Sequence, residues 1–281
     1  MISGIHHVTA ISGTPHQNYD FYTRVLGLKL VKKTVNFDDP GTYHLYYGDE
    51  QGSPGSLLTF FPYEGGSGRT GAGQVTRTSY GVAPGTLQGW EQRLPVATQR
   101  ESRWGQDYLQ FADPHGMGLE IFESPQASSQ KLDRLGGLVL SLTEKDIEDT
   151  VVLLQLLGYR LHDQSADRSW TRMQLPDSAE FLDLQRVHAR GQGGPGTVHH
   201  LALRVADDSS QLQWRNLLIE QGFHVSPVMD RNYFHSIYFR GPGGVLYELA
   251  TDPPGMTIDE SPETLGQSLR LPARYESYRQ A

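Results

Sequence analysis

The chain repeats one unit four times, and that repetition limits its possible folds more than any other feature. The first and last copies each open on an alternating strand that begins with two histidines. These are His6-His7-Val8-Thr9-Ala10-Ile11 and His199-His200-Leu201-Ala202-Leu203-Arg204-Val205. Apolar–polar alternation marks a half-buried strand. A helical stretch follows each, Gln17 to Val25 and Ser209 to Ile219, closed by Gly27 and Gly222 where a helix C-cap belongs. Each unit ends in a strand entered by a tight turn. Ser53-Pro54-Gly55-Ser56 precedes Leu57 to Phe61, and Gly241-Pro242-Gly243-Gly244 precedes Val245 to Ala250.

Two middle copies share the plan. One has a strand at Val75 to Val82, a helix at Leu87 to Arg93 and a last strand at Met117 to Phe122, after Asp113-Pro114-His115-Gly116. The other has Leu138 to Leu142, a helix at Lys145 to Leu157 and a last strand at Phe181 to Gln185. Every copy reads β-α-β-β-β. One helix and a short curved sheet cannot bury the sheet's own concave face, but two such units can pair around a cavity. The expected class is therefore α+β, with four βαβββ modules paired into two curved-sheet, barrel-like units. The polar stretch 123–130 reads as a linker. It divides the chain into two modules over 1–124, two over 135–252, and a C-terminal tail over 253–281 that serves packing or an interface.

Composition narrows the chemistry. There are 24 Lys and Arg against 32 Asp and Glu, a formal charge of −8, which disfavours nucleic acid and anionic membranes as partners. Cysteine is absent, so disulfides, thiolate ligands and a cysteine nucleophile are excluded, and a metal must use His, Asp, Glu or backbone oxygen. The N-terminal residues lack the basic and apolar regions of a signal peptide, and no apolar run approaches the ~20 residues of a membrane span. A cytoplasmic protein free of the membrane is the simplest expectation, with a homo-oligomer left open.

Aligning the copies on the first strand and on the turn before the last strand gives four pairs: His7 with Phe60, Arg77 with Glu120, Gly137 with Asp183, and His200 with Glu248. The fourth copy supplies an imidazole and a carboxylate on neighbouring strands, and the first supplies a second imidazole. Two His and one Glu with open positions is the ligand set of non-haem Fe(II) oxygenases. The metal ligands expected are His7, His200 and Glu248, with Fe(II) as the ion and Mn(II) fitting the same donors. Arg77 and Glu120 are expected to form a buried ion pair instead, and Gly137 with Asp183 makes no ligand set, so one metal per chain results. His44, in Tyr43-His44-Leu45-Tyr46-Tyr47, either faces the cavity or packs, and His235 is expected near the site.

Longer strings carry a resemblance. Gly4-Ile5-His6-His7-Val8-Thr9, Val31-Lys32-Lys33-Thr34-Val35-Asn36-Phe37-Asp38-Asp39-Pro40, Asp230-Arg231-Asn232-Tyr233-Phe234 and Gly243-Gly244-Val245-Leu246-Tyr247-Glu248 resemble the vicinal oxygen chelate (glyoxalase/extradiol dioxygenase) superfamily. Within it they are most similar to hydroquinone-type, MhqO-like ring-cleaving dioxygenases. The resemblance spans nearly the whole chain. It implies the same three metal ligands, with His6, Thr9, His199, Arg231 and Tyr238 around substrate or ligands. Tyr238 would then act as acid–base residue, and His199 or Arg231 would stabilise negative charge. It implies insertion of O2 into a para-diol ring, so the partners are a small aromatic substrate and dioxygen. A catechol extradiol dioxygenase, a glyoxalase-type isomerase and a non-catalytic small-molecule binding or resistance protein remain as alternatives. The isomerase usually recruits further protein ligands, and Phe60 at the matching position argues against it. Phe37, Tyr43, Phe60, Tyr233 and Phe234 are the expected cavity walls.

Overall fold

A computed structural model, which describes residues 1–280, turns the alternating stretches into strands and the four repeats into four modules. The first module contains β1 (Ile2–Ser12), α1 (Pro15–Asp20) continuing into a π-helical turn (Phe21–Val25), β2 (Lys29–Val35), β3 (Tyr43–Gly48) and β4 (Leu57–Pro62). The second contains β5 (Gln74–Val82), α2 (Leu87–Arg93), β6 (Gln99–Arg103), β7 (Gln106–Ala112) and β8 (Gly118–Glu123). The third contains β9 (Leu135–Leu142), α3 (Glu144–Leu156), β10 (Arg160–Gln164), β11 (Trp170–Gln174) and β12 (Phe181–Arg186). The fourth contains β13 (Thr197–Val205), α4 (Asp208–Glu220), β14 (Met229–Asp230), β15 (Phe234–Arg240) and β16 (Leu246–Pro254). The longer helices start where the sequence supplies a side-chain acceptor: Thr143 accepts from the Asp146 amide and Asp207 from the Ser210 amide.

The modules pair out of chain order. One eight-stranded sheet runs β14-β15-β16-β13-β1-β4-β3-β2 and joins the first module to the fourth. The other runs β10-β11-β12-β9-β5-β8-β7-β6 and joins the second to the third. A division into 1–124 and 135–252 therefore cuts through both sheets, and the stretch at 123–130 links two modules of one sheet. The two sheets match strand for strand, so each residue of one has a counterpart in the other.

Alternation sorts each strand onto two faces. In the first sheet Val8, Ala10, Leu58, Phe60, Leu201, Leu203, Tyr247 and Leu249 join the main apolar core. Their neighbours in sequence face the concave side. The registers pair Ala202 with Glu248, Val139 with Asp183, Ser79 with Glu120, and Thr9 with Thr59. The first-module counterpart of Glu248 is therefore Thr59. Phe60 is one residue further on and faces the opposite side, packed on Tyr22 with ring centroids 4.6 Å apart. The count from the turn glycine agrees: four residues lead from Gly116 to Glu120, from Gly244 to Glu248 and from Gly55 to Thr59, so Phe60 lies one residue too far, on the opposite face.

Ions fill the concave side of the second sheet. Arg77 lies 3.6 Å from Glu120, so the expected ion pair exists, but Arg103 is its principal partner at 2.5 Å. Arg103 also reaches Asp183 at 3.3 Å, and Arg172 holds the same carboxylate at 2.7 Å through both Nε and Nη2. The tail folds back on the first sheet. Lys32 is wholly buried and lies 2.5 Å from both Asp259 and Glu260, while Met256 and Leu265 join the apolar cluster around Tyr46 and Phe234. Ala281, the last residue of the expected tail, lies outside the described residues.

Removing one partner of a buried ion pair strands the other. Arg103→Leu leaves Glu120 without its principal cation and Asp183 with one fewer. It should lower unfolding stability by roughly 3–5 kcal/mol in a urea titration. A loss below about 1 kcal/mol would remove this cluster from the set of interactions that hold the second sheet.

Candidate metal centre

The centre of the first sheet is the β1–β13 pairing, which brings together residues from the two ends of the chain. His7 faces Ala202 and Thr9 faces His200. The pairing slips between Ile2 and Ile5, between Ile5 and His7, and between Thr9 and Ala10; the last two slips make His6 on β1 and His199 on β13 each an extra, bulged residue. Two consecutive residues of a regular strand point to opposite faces. A bulge relaxes that rule and re-aims a side chain. Both His-His pairs consequently keep their rings in touch, with Nδ1 to Nδ1 distances of 2.8 Å in each. The second sheet slips at the counterpart positions, between Val75 and Arg77 and between Ser79 and Tyr80. The bulges therefore belong to the paired-module architecture, and the first sheet equips them with imidazoles.

His7, His200 and Glu248 converge, all three buried, with one ligand atom from each within 4.8 Å of the others. The Nε2 atoms are 3.3 Å apart, and Glu248 Oε2 is 3.4 Å from His7 Nε2 and 2.9 Å from His200 Nε2. Three ligand atoms at right angles around one ion, each at ~2.1 Å, are separated by about 3.0 Å. The spacing thus fits three facial ligands of one divalent cation. Glu248 Oε1 accepts from the Ser236 hydroxyl, whereas Oε2 is buried and has no hydrogen-bond donor among the described residues. A buried carboxylate oxygen without a donor is costly, and a cation between it and the two imidazoles satisfies it. Burial alone would raise the Glu248 carboxyl, but His7 and His200 beside it hold it well below the usual carboxylate range. Burial lowers His200, with Glu248 pulling the other way. An ionised carboxylate and a neutral His200 are the protonation states a metal requires.

The bulged histidines set the tautomers. For Nε2 to offer a lone pair, His7 carries its proton on Nδ1 and donates it to His6 Nδ1. His6 then carries its own proton on Nε2, a buried atom, with the Thr251 backbone beside the ring. Burial, then the neighbouring His7, keep His6 neutral. His199 holds His200 in the same way but is exposed at the cavity mouth.

The triad opens into a cavity of ≈ 420 Å³, lined by Phe37, Asp38, His44, Tyr46, Phe61, Phe234 and Tyr238 among others. Tyr238 opposes Glu248 across β15 and β16. Arg231 Nε donates to the Tyr238 oxygen at 3.1 Å, and its two terminal nitrogens are committed to Asp38 at 3.1 and 2.9 Å. The Ser236 side chain also lies within hydrogen-bond reach of this hydroxyl. Burial, followed by Glu248, pushes this phenol far up, so it is a neutral donor. Arg231 thus orients Tyr238 and ties the loop after β2 to the turn before β15. Thr9 Oγ1 pairs with Thr59 Oγ1 at 2.8 Å, and Thr59 in turn pairs with His44 Nε2 at 2.8 Å.

All eight expected site residues lie at or beside this centre. Of the expected walls, Phe37 and Phe234 line the cavity. Tyr43 is exposed, Phe60 faces the core, and Tyr233 donates to Asp259 of the tail at 3.0 Å. His235 is bonded to Asp208 at the start of α4 and does not line the cavity. Asp38 and Ser236 escape sequence reading, because a loop carboxylate and a strand serine carry no pattern. His44 shares the alternating face of Tyr46, which is the one signal that could have assigned it to the cavity.

A family model described as the Glyoxalase/Bleomycin resistance protein/Dioxygenase superfamily matches residues 4–121. The chain is 45% identical to MhqO of Bacillus subtilis (strain 168), which carries a ring-cleaving dioxygenase designation, over 98% of this chain and 93% of the relative. It is 34% identical to the chlorohydroquinone/hydroquinone 1,2-dioxygenase of Sphingobium indicum, over 98% and 93% respectively. A crystal structure of a Bacillus subtilis protein assigned as a dioxygenase superposes with a TM-score of 0.93 at 44% identity, covering 99% of this chain and 94% of that one. Glyoxalase I of Zea mays, at 15% identity and a TM-score of 0.68 over 89% and 93% of the two chains, shares the fold.

The triad carries a direct test. Glu248→Ala should abolish retention of one Mn(II) per chain in equilibrium dialysis while leaving the far-ultraviolet circular dichroism unchanged. His6→Ala should weaken retention about 10–100-fold, as loss of a ligand's supporting hydrogen bond does elsewhere. Full occupancy in Glu248→Ala would refute the ligand assignment.

Proposed function

The chain belongs to the glyoxalase/bleomycin resistance protein/dioxygenase superfamily, and on that premise we propose that it is a ring-cleaving dioxygenase. It inserts O2 into a hydroquinone-type, para-diol ring at a single non-haem divalent metal held by His7, His200 and Glu248. The observation that carries the reading is the convergence of two imidazoles and one carboxylate, with an oxygen lacking a donor, at the floor of an aromatic-lined cavity. Three protein ligands leave positions for a ring oxygen and for dioxygen. The bound ion, Fe(II) in this reading with Mn(II) as the substitute, would lower the pKa of the ring hydroxyl and bring ring and O2 into contact. Both atoms of O2 enter the product and one ring carbon–carbon bond breaks, so no external reductant is consumed.

The protein's own groups act around that event. Tyr238 donates its proton to a substrate oxygen, held in place by Arg231, which is itself fixed by Asp38. His6 and His199 orient the ligand imidazoles, and Thr9 anchors the hydroxyl pair on the cavity wall. Phe37, Phe61 and Phe234 provide an apolar slot for a flat ring and exclude water. The reading entails a small aromatic diol and dioxygen as partners and a cytoplasmic location. Among the described residues no helix is long and apolar enough to cross a membrane.

A glyoxalase-type isomerase on the same scaffold is the alternative. Its further ligand would fall at the first-module counterpart of Glu248, where Thr59 stands with its hydroxyl engaged by Thr9 and His44. Protein reconstituted with Fe(II) under anaerobic conditions and offered hydroquinone, methylhydroquinone and catechol in an oxygen electrode separates the readings. The para-diols should draw one O2 per ring opened. Uptake with catechol alone would keep the enzyme class and overturn the substrate. Turnover of a hemithioacetal without oxygen uptake would establish the isomerase.

A further inference from the structure

The second sheet is an internal reference for the first, because the two match strand for strand and one of them has its concave side filled. In the second sheet Arg172 opposes Asp183, as Tyr238 opposes Glu248 in the first. Gln110 opposes Glu120, as Tyr46 opposes Thr59, which makes Tyr108 the counterpart of His44. Tyr108 and Arg172 meet directly across the concave side, with Arg172 Nη2 donating to the Tyr108 hydroxyl at 2.8 Å. In the first sheet these positions hold His44 and Tyr238, and both line the cavity. The space that the Tyr108–Arg172 contact closes in one sheet is left open between His44 and Tyr238 in the other.

His44 is built to face that space. Its Nε2 is bonded to Thr59, which is held by Thr9, and its ring lies between Tyr46 and Phe61 at centroid distances of 4.1 and 4.3 Å. Its Nδ1 has no hydrogen-bond partner among the described residues. His44 stands on β3, two strands from β1 and its ligand His7, a backbone separation of roughly 10 Å. It is thus too remote to be a ligand and remote enough to meet the far end of a ring bound at the metal.

We infer that His44 is a specificity-determining residue whose Nδ1 hydrogen-bonds the substrate's second oxygen, the one para to the oxygen at the metal. The ring of a para-diol then spans the gap that Tyr108 and Arg172 close in the second sheet. An ortho-diol has both oxygens at the metal end and makes no such bond. The inference rests on the ring-cleavage reading and adds the group that selects para over ortho.

The test is anaerobic binding of hydroquinone, phenol and catechol to Mn(II)-loaded protein, followed by calorimetry, with wild type, His44→Phe and His44→Gln. His44→Phe keeps an aromatic ring between Tyr46 and Phe61 and loses both nitrogens. It should weaken hydroquinone binding about tenfold, while phenol and catechol affinities and the metal content stay at wild-type values. His44→Gln, which restores a polar group, should recover part of the loss and serves if the Phe variant does not fold. Wild-type hydroquinone affinity in His44→Phe, or an equal loss for phenol, would overturn the role of His44 alone. A wild type that binds none of the three rings would overturn the ring-cleavage reading and this inference together.

Discussion

Everything at the candidate centre depends on one antiparallel strand pairing, β1 with β13. His7 and His200 are 193 residues apart in sequence and meet because these two strands lie side by side. Backbone ladder bonds fix the pairing, and the concave and convex faces lock its register, since a shift of one residue would turn the histidines into the apolar core. The two bulges complete the arrangement. They interrupt the alternation at His6 and His199, so that His7 and His200 each acquire a neighbouring imidazole as hydrogen-bond partner.

The two sheets solve one electrostatic problem in two ways. Each brings carboxylates to a buried concave face, where an uncompensated charge is expensive. In the second sheet the cations are covalent parts of the chain: Arg77, Arg103 and Arg172 face Glu101, Glu120 and Asp183, three charges against three. In the first sheet Glu248 has no guanidinium within reach, because Arg231 is committed to Asp38 and Tyr238. Among the described residues only the imidazoles of His7 and His200 stand against its charge. One module plan thus gives a self-neutralised concave face in the second sheet and, in the first, a face whose carboxylate charge is met by imidazoles alone.

Much of this was legible from sequence because it rests on period. Alternation and helix spacing located the modules, and the recurrence of a histidine at one strand position and a carboxylate at another identified His7, His200 and Glu248. Module pairing was not legible, since chain order favours neighbours, whereas the sheets join first to fourth and second to third. Thr59 was legible too, since it stands four residues after Gly55 as Glu248 does after Gly244; Phe60 is one residue beyond, on the other face. Arg103 and Arg172 were missed because a charged residue in a short, polar strand usually reaches solvent, and here both turn inward onto aromatic rings.

The joining of first module to fourth has a consequence for synthesis. The ribosome releases β1 well before its partner β13, with the whole of the second and third modules made in between. Until then the first module waits with an open strand edge, while the second and third modules, contiguous in the nascent chain, can already close their sheet. Their self-neutralised cluster of charges needs no group from the other two modules. The candidate centre, by contrast, cannot assemble on a chain that stops before the fourth module, since His200 and Glu248 both lie in it.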